Sequence, residues 1–245
     1  QHNLTVLESE LAKINMKINI GKTKTMIIAN TRKTHEIKLD GKQIEQVDHF
    51  KYLGAIIEEN GKLDKELNER MGRGGNIFNQ MKTTFLGKRE VPKRIKAEVV
   101  KKVVRPTIIY SSETWTLTER QKSRINAMEM RFLRRIENKN KMDKIRNETI
   151  RQNLQIDPIN EKIMEGQLRW FGHVCRMPND RLTKRVFETR VPGKNKRGRP
   201  RIRWIDRIRE ETEKKGMTWD TVRKMVQDRK QWRKECRTQP HQPYT

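Results

Sequence analysis

The chain has 245 residues, 33% hydrophobic and 36% charged, and its 57 lysines and arginines outweigh 31 acids for a formal net charge of +26. Such a composition excludes one large oily core and calls for two or three units of amphipathic elements with solvated outer faces. It also calls for a polyanionic partner, nucleic acid first; no apolar run approaches the roughly 18 residues of a spanning helix, so a membrane is not an expected partner.

In chain order, Leu4, Leu7, Leu11, Ile14 and Ile18 recur at spacings of three and four, one stripe of a helix ending between Asn15 and Asn19 that needs cover from the neighbouring elements. Thr23–Ala29 and Glu36–Leu39 read as strands, Asp40-Gly41 as a turn before Lys42–Val47, and Phe50–Ile57 as a further strand closing a small α+β unit. From Gly61 the period becomes helical. Leu63, Leu67, Met71, Phe78 and Met81 mark one helix, in which Gly72, Gly74 and Gly75 signal either weakness or a close helix crossing. Pro92 opens a helix with Ile95, Val99 and Val103 on one face, stopped by Pro106.

Thr118 and Gln121 have the spacing of a capping box for a helix buried through Ile125, Met128, Phe132 and Ile136. Glu137–Asp143 reads as a hinge, followed by a short helix around Ile145–Gln152. A longer helix after Asp157-Pro158 carries Ile159, Ile163, Trp170 and Val174 inward. Pro192–Arg203 has no apolar period and reads as an extended basic linker. A helix from Trp204 to Lys215 ends at Gly216, and Thr218 caps a last one bearing Val222, Met225 and Trp232. The basic excess is uneven: residues 1–60 hold 9 basic and 8 acidic side chains, leaving 48 against 23 for the rest.

Asn19-Ile20-Gly21-Lys22-Thr23-Lys24 before an apolar stretch, then Phe50-Lys51-Tyr52-Leu53-Gly54, resemble the last two palm motifs of reverse transcriptases from LINE-type non-LTR retrotransposons. Further landmarks come in the order seen in that family: Ser112-Glu113-Thr114-Trp115, then Leu168-Arg169-Trp170-Phe171-Gly172-His173-Val174, Arg197-Gly198-Arg199-Pro200-Arg201 before Trp204, and Trp219 with Asp228-Arg229 and Trp232. The resemblance covers nearly the whole chain. It departs at Asn15-Met16, where the family usually has Gly-Leu, and the family's catalytic aspartates lie upstream of the part matched.

What the resemblance implies is an α+β chain: a palm remnant with primer grip at 1–60, a helical thumb at 61–155, and a helical nucleic-acid-binding region at 156–245 with its basic linker at 190–203. Opening at Gln1 directly in a periodic pattern, the chain reads as a fragment. Two-metal nucleotidyl transfer needs closely placed carboxylates, and no Asp-Asp pair occurs here. The expectation is therefore binding without polymerisation, with no cofactor of its own and Mg2+ only in an intact polymerase. The implied partners are an RNA–DNA hybrid, element RNA or target DNA, in nucleus and cytoplasm.

Among the candidate site residues, Lys22 would sit near a nucleotide triphosphate as an auxiliary group, or else be solvated. Phe50, Lys51, Tyr52, Leu53 and Gly54 would form the primer grip, although Phe50 and Tyr52 also suit one packed face of a strand. Arg169 and Trp170, with Lys194, Lys196, Arg197, Arg199, Arg201 and Arg203, would bind nucleic acid. Arg197-Gly198-Arg199-Pro200 also has the form of an AT-hook, whose arginines enter a narrow A·T minor groove. That leaves open a DNA-binding protein recruited from the element, or a decayed relic.

The five tryptophans could stack on unpaired bases or anchor small cores. Arg134, Arg135, Arg146 and Arg151 read most simply as solvated, and together could line a duplex track. His173 and Cys175 lack partners at metal-ligand spacing, so no metal site is assigned; a packed imidazole beside a buried thiol is expected instead. Cys175 and Cys236 are too few for a disulfide framework, which suits a reducing compartment.

Overall fold

Among the described residues of the computed structural model helices dominate and four short strands form two separate antiparallel pairs, the α+β class expected. The structure describes residues 1–29, 34–189, 198 and 202–237. The chain divides into two compact units, Gln1–Glu69 and Arg70–Thr245.

In the first unit α1 (His2–Lys13) has no buried residue. Its stripe is left open rather than covered: Leu7 and Ile14 are exposed. The helix is held at its start by the Gln1 amide, which donates to the Lys38 carbonyl at 2.8 Å and accepts from Lys38 N at 2.9 Å, imitating a strand partner. β1 (Lys38–Leu39) and β2 (Lys42–Gln43) flank the Asp40-Gly41 turn. Thr23–Ala29 is not a strand; among the described residues it forms one parallel bridge, Thr25 with Gln46.

Phe50–Ile57 is likewise not one strand but a hairpin of β3 (His49–Tyr52) and β4 (Ala55–Glu58). The reason is Leu53-Gly54, whose φ angles of 47° and 86° make a two-residue turn with both central residues left-handed. Glycine takes that conformation freely; Leu53 takes it under strain.

The second unit is helical, with α2 (Asp64–Met81) contributing its later turns. α3 (Lys93–Val99) starts after Pro92, but Pro106 does not stop it: a π-helical turn at Val100–Val104 leads into α4 (Arg105–Ile108). The wider turn takes up a residue that cannot donate and would clash with the carbonyl four places back. Its buried face is also not the one expected. Ile95 and Val103 are exposed, while Ala97, Val100, Val104 and Ile108 are buried.

A Cβ on Gly74 would lie 2.4 Å from Ile108 Cγ1, so that glycine marks the close crossing of α2 and α4. After a 3-10 turn at Ser112–Thr114, α5 (Glu119–Ile136) begins with the capping box of Thr118 and Gln121 in place. α6 (Asn147–Leu154) and α7 (Ile159–Cys175) come next. In α7 it is Phe171, not Trp170, that is buried.

The carboxy-terminal core gathers α7, α8 (Leu182–Glu188), α9 (Trp204–Lys214), α10 (Trp219–Met225) and α11 (Arg229–Glu235). α8 has no counterpart among the elements expected from sequence. The last two helices were expected as one; Asp228 separates them by accepting from Lys230 N and Gln231 N and so capping α11. Phe171 lies at the centre, with ring centroids at 5.6 Å from Trp219, 5.9 Å from Trp232, 6.1 Å from Phe187 and 6.3 Å from Trp204.

Trp232 lies so close to α7 that a Cβ on Gly172 would be 2.3 Å from its ring, and its Nε1 donates to the Leu168 carbonyl at 2.8 Å. The Leu168–Val174 run is thereby explained position by position. Leu168, Phe171 and Val174 fill the core, Gly172 makes room for an indole, and Arg169 and His173 face solvent.

Candidate nucleic-acid interface

The hairpin separates its side chains by register. Phe50 pairs with Ile57 and Tyr52 with Ala55, so these four share one face, and there Phe50, Tyr52 and Ile57 are exposed, with Leu53 at the tip 76% exposed. The strands therefore do not pack Phe50 and Tyr52 into a core. The opposite face is anchored on the first turn of α2. The buried Glu66 carboxylate accepts from Ile56 N at 2.7 Å, and buried Glu58 accepts from Lys65 N at 2.9 Å at the helix start. Lys51 is on this anchored side, 3.5 Å from Glu69.

Beside it, hydrogen bonds from Lys65 and then His49 hold the Asp48 carboxyl well below the usual carboxylate range. Lys22 is exposed, in a turn where its N–H donates to the Asn19 side chain at 3.0 Å.

In the helical unit an open groove runs between α2 and α5, lined by Gly72, Gly75, Asn76, Asn79, Arg124 and Arg131 among others. A Cβ on Gly72 would meet nothing within 4 Å and one on Gly75 only Met128 Cε at 3.9 Å. These two glycines thus serve no packing, although a mid-helix glycine costs about 1 kcal/mol relative to alanine. They leave the groove floor low between amides and guanidinium groups, the donors that phosphate and sugar oxygens accept from. The run of glycines is the sequence signal for this groove, since the helix crossing needs Gly74 alone.

Several arginines tie the fold together internally. Glu129, 1% exposed, receives Arg105 Nε at 2.7 Å, Arg151 Nη2 at 3.4 Å and the Ile159 amide at 3.2 Å. Arg134 donates to the Ile145 carbonyl at 3.0 Å and to Asn147 Oδ1 at 2.8 Å. Arg134 and Arg151 are therefore internal ties, not the solvated groups expected, whereas Arg135 and Arg146 are exposed. The Ser112–Trp115 turn is likewise a clasp: Gln167 Nε2 donates to the carbonyls of Ser112 and Trp115, and Trp204 Nε1 donates to that of Glu113 at 2.8 Å.

Arg169 is exposed, and the ring of half-buried Trp170 lies 5.4 Å from that of His173, tilted by 48°. The imidazole is thus exposed and not packed beside the Cys175 thiol. Burial raises the Cys175 thiol above its ordinary pKa and pushes Cys236 up to about 12, which favours the protonated, weakly nucleophilic form of both. Among the described residues no three His, Cys, Asp or Glu side chains gather as a metal site would require. Arg203 is exposed and its guanidinium is 2.8 Å from Asp206. Lys194, Lys196, Arg197, Arg199 and Arg201, with the AT-hook-like run, lie outside the described residues.

These features define a basic, mainly helical α+β chain with an outward-facing apolar hairpin and an arginine-lined groove. A curated protein of Caenorhabditis elegans described as an uncharacterized transposon-derived protein is 29% identical over 245 residues, covering 94% of this chain and 85% of its own length. That similarity supports a transposon origin for the chain. No protein-family profile and no solved structure matches it.

Proposed function

We propose that this chain is the nucleic-acid-holding part of a LINE-type reverse transcriptase. In this reading residues 1–60 are the end of the palm, with the hairpin as primer grip. Residues 61–155 are the thumb along an RNA–DNA hybrid, and 156–245 engage element RNA or target DNA in nucleus and cytoplasm. The observation that carries the reading is the hairpin: Phe50, Tyr52 and Leu53 are held in solvent on a rigid two-residue turn, at the positions that resemble the primer grip.

A leucine in a left-handed conformation and 76% exposed at a tip costs stability, which is expected where a ligand covers the side chain. Sugar and base faces at a primer end offer apolar surface of that kind, and the groove between α2 and α5 supplies donors to the backbone. With no Asp-Asp pair in the sequence, the proposed role is holding rather than polymerisation.

The test is fluorescence anisotropy of a labelled RNA–DNA hybrid with a recessed primer end, titrated at rising salt. Affinity should fall steeply, log against log, because several phosphates are neutralised. Combining Phe50→Ala with Tyr52→Ala should weaken binding about tenfold at unchanged salt slope, the order of one lost stacking contact. A flat salt response, or a double variant that binds as the parent does, removes the reading. A preference for A·T-rich duplex that Arg197→Ala and Arg199→Ala abolish would replace it with a recruited DNA-binding protein.

A further inference from the structure

We infer that the cleft formed by α8, α9 and α10 receives an unpaired base of single-stranded nucleic acid, with arginines at its rim holding the neighbouring phosphate. This deepens the hybrid-holding role and rests on it. The cleft is open, with a volume of about 1200 Å³, and Phe171, Phe187, Trp204 and Trp219 all line it. Phe171 is spent on the core, but Phe187, Trp204 and Trp219 are only half-buried, so their rings reach solvent. Phe187 and Trp204 stand edge to face at 83°, which walls the space on two sides.

The charged lining suits an anion: Lys184, Arg203, Arg209 and Arg223 against one acid, Glu188. Lys184 and Glu188 belong to the fold, since Lys184 Nζ donates to the Cys175 carbonyl at 2.6 Å and lies 3.4 Å from Glu188. Arg209 and Arg223, both exposed, remain at the rim.

Arg209 lies over the Trp219 ring with its guanidinium carbon 4.7 Å from the centroid. A guanidinium on an indole face marks the place of a flat, electron-poor group, and a base can take it while the guanidinium turns to the phosphate. Trp219 Nε1 is buried without a hydrogen-bond partner among the described residues, and its N–H lies in the ring plane, leaving the stacking face of the indole to the base. Thr189 and Arg203 both line the cleft as well.

The test compares a blunt RNA–DNA hybrid with the same hybrid carrying a four-nucleotide overhang, of DNA in one arm and RNA in the other, by anisotropy. The parent should bind an overhang form roughly tenfold tighter than the blunt form, the order of one base stacked on an aromatic platform. Arg209→Gln with Arg223→Gln should erase that gain and leave blunt binding unchanged. Trp219→Phe, which keeps an aromatic ring in the core, should reduce the overhang-dependent quench of tryptophan fluorescence. Lys224→Gln with Lys230→Gln, exposed and away from the cleft, should preserve the gain.

Equal binding of blunt and overhang forms overturns the cleft assignment while leaving the hybrid-holding role intact. So does an equal loss from both double variants. Binding of overhangs alone, with none to blunt hybrid, removes the hybrid-holding role and keeps the cleft. Self-association of the parent without overhang preference would assign the cleft to a second copy and overturn the proposal.

Discussion

The two units use their apolar side chains in opposite ways. In the carboxy-terminal helices Leu168, Phe171, Ile208, Val222, Val226 and Trp232 form one closed cluster with Cys236. Among the described residues of 1–69 the buried apolar side chains are Leu39, Ile44 and Leu67, while Val6, Leu7, Ile14, Met16, Phe50, Tyr52 and Leu53 are exposed. Burial of apolar area is the main source of stability. The helical unit therefore carries the folding free energy, and the amino-terminal unit spends its hydrophobic surface elsewhere.

Three substitutions probe that contrast. The largest effect is expected from Glu129→Ala, which strands the buried Arg105 guanidinium; breaking a buried ion pair by removing one partner costs about 3–5 kcal/mol. All five tryptophans are in the helical unit, so urea denaturation followed by their fluorescence reads that unit alone. A loss under about 1 kcal/mol would mean that the pair is not part of a packed core. Next is Gly172→Ala, whose methyl group must displace the Trp232 ring; overpacking of this kind costs about 1–3 kcal/mol. An unchanged midpoint would show that the indole does not rest on α7.

The smallest effect belongs to the other unit. Leu7→Ala removes a side chain 49% exposed on a helix without buried residues, and should change stability by no more than about 0.5 kcal/mol, with helical circular dichroism unchanged. A larger loss would mean that α1 is covered in solution and would close the gap between the two units.

Local signals were the legible ones. Thr118 with Gln121, Pro92, Gly216 and Thr218 each act on the backbone within a few residues of themselves, and each sits where the sequence places it. What escaped depended on distant partners. The inner face of α3 is hidden in sequence because Lys96 and Arg105 are buried too, Lys96 donating to the Lys88 carbonyl and Arg105 meeting Glu129, so the polar residues blur the stripe. Trp170 and Phe171 are adjacent aromatic residues, and only the tryptophans arriving from α10 and α11 decide which of them is interior.

The hairpin escaped because leucine rarely accepts a left-handed conformation. The same limit applies to the candidate interface. FKYLG marked the place of the hairpin but not its shape, and nothing local distinguishes Arg151, an internal tie, from Arg131, which lines a groove.

The clasp at Ser112–Trp115 also bears on the order of events during synthesis. Trp204 reaches back 91 residues to Glu113, Arg207 reaches back 90 to Leu117, and Trp232 reaches back 64 to Leu168. Each acceptor leaves the ribosome before its donor, so α5 and α7 are available as a template when α9 to α11 emerge. A chain terminated before Trp204 would keep that template but leave the Leu168 and Phe171 face without the indoles of α9, α10 and α11, and bare apolar faces drive association between chains.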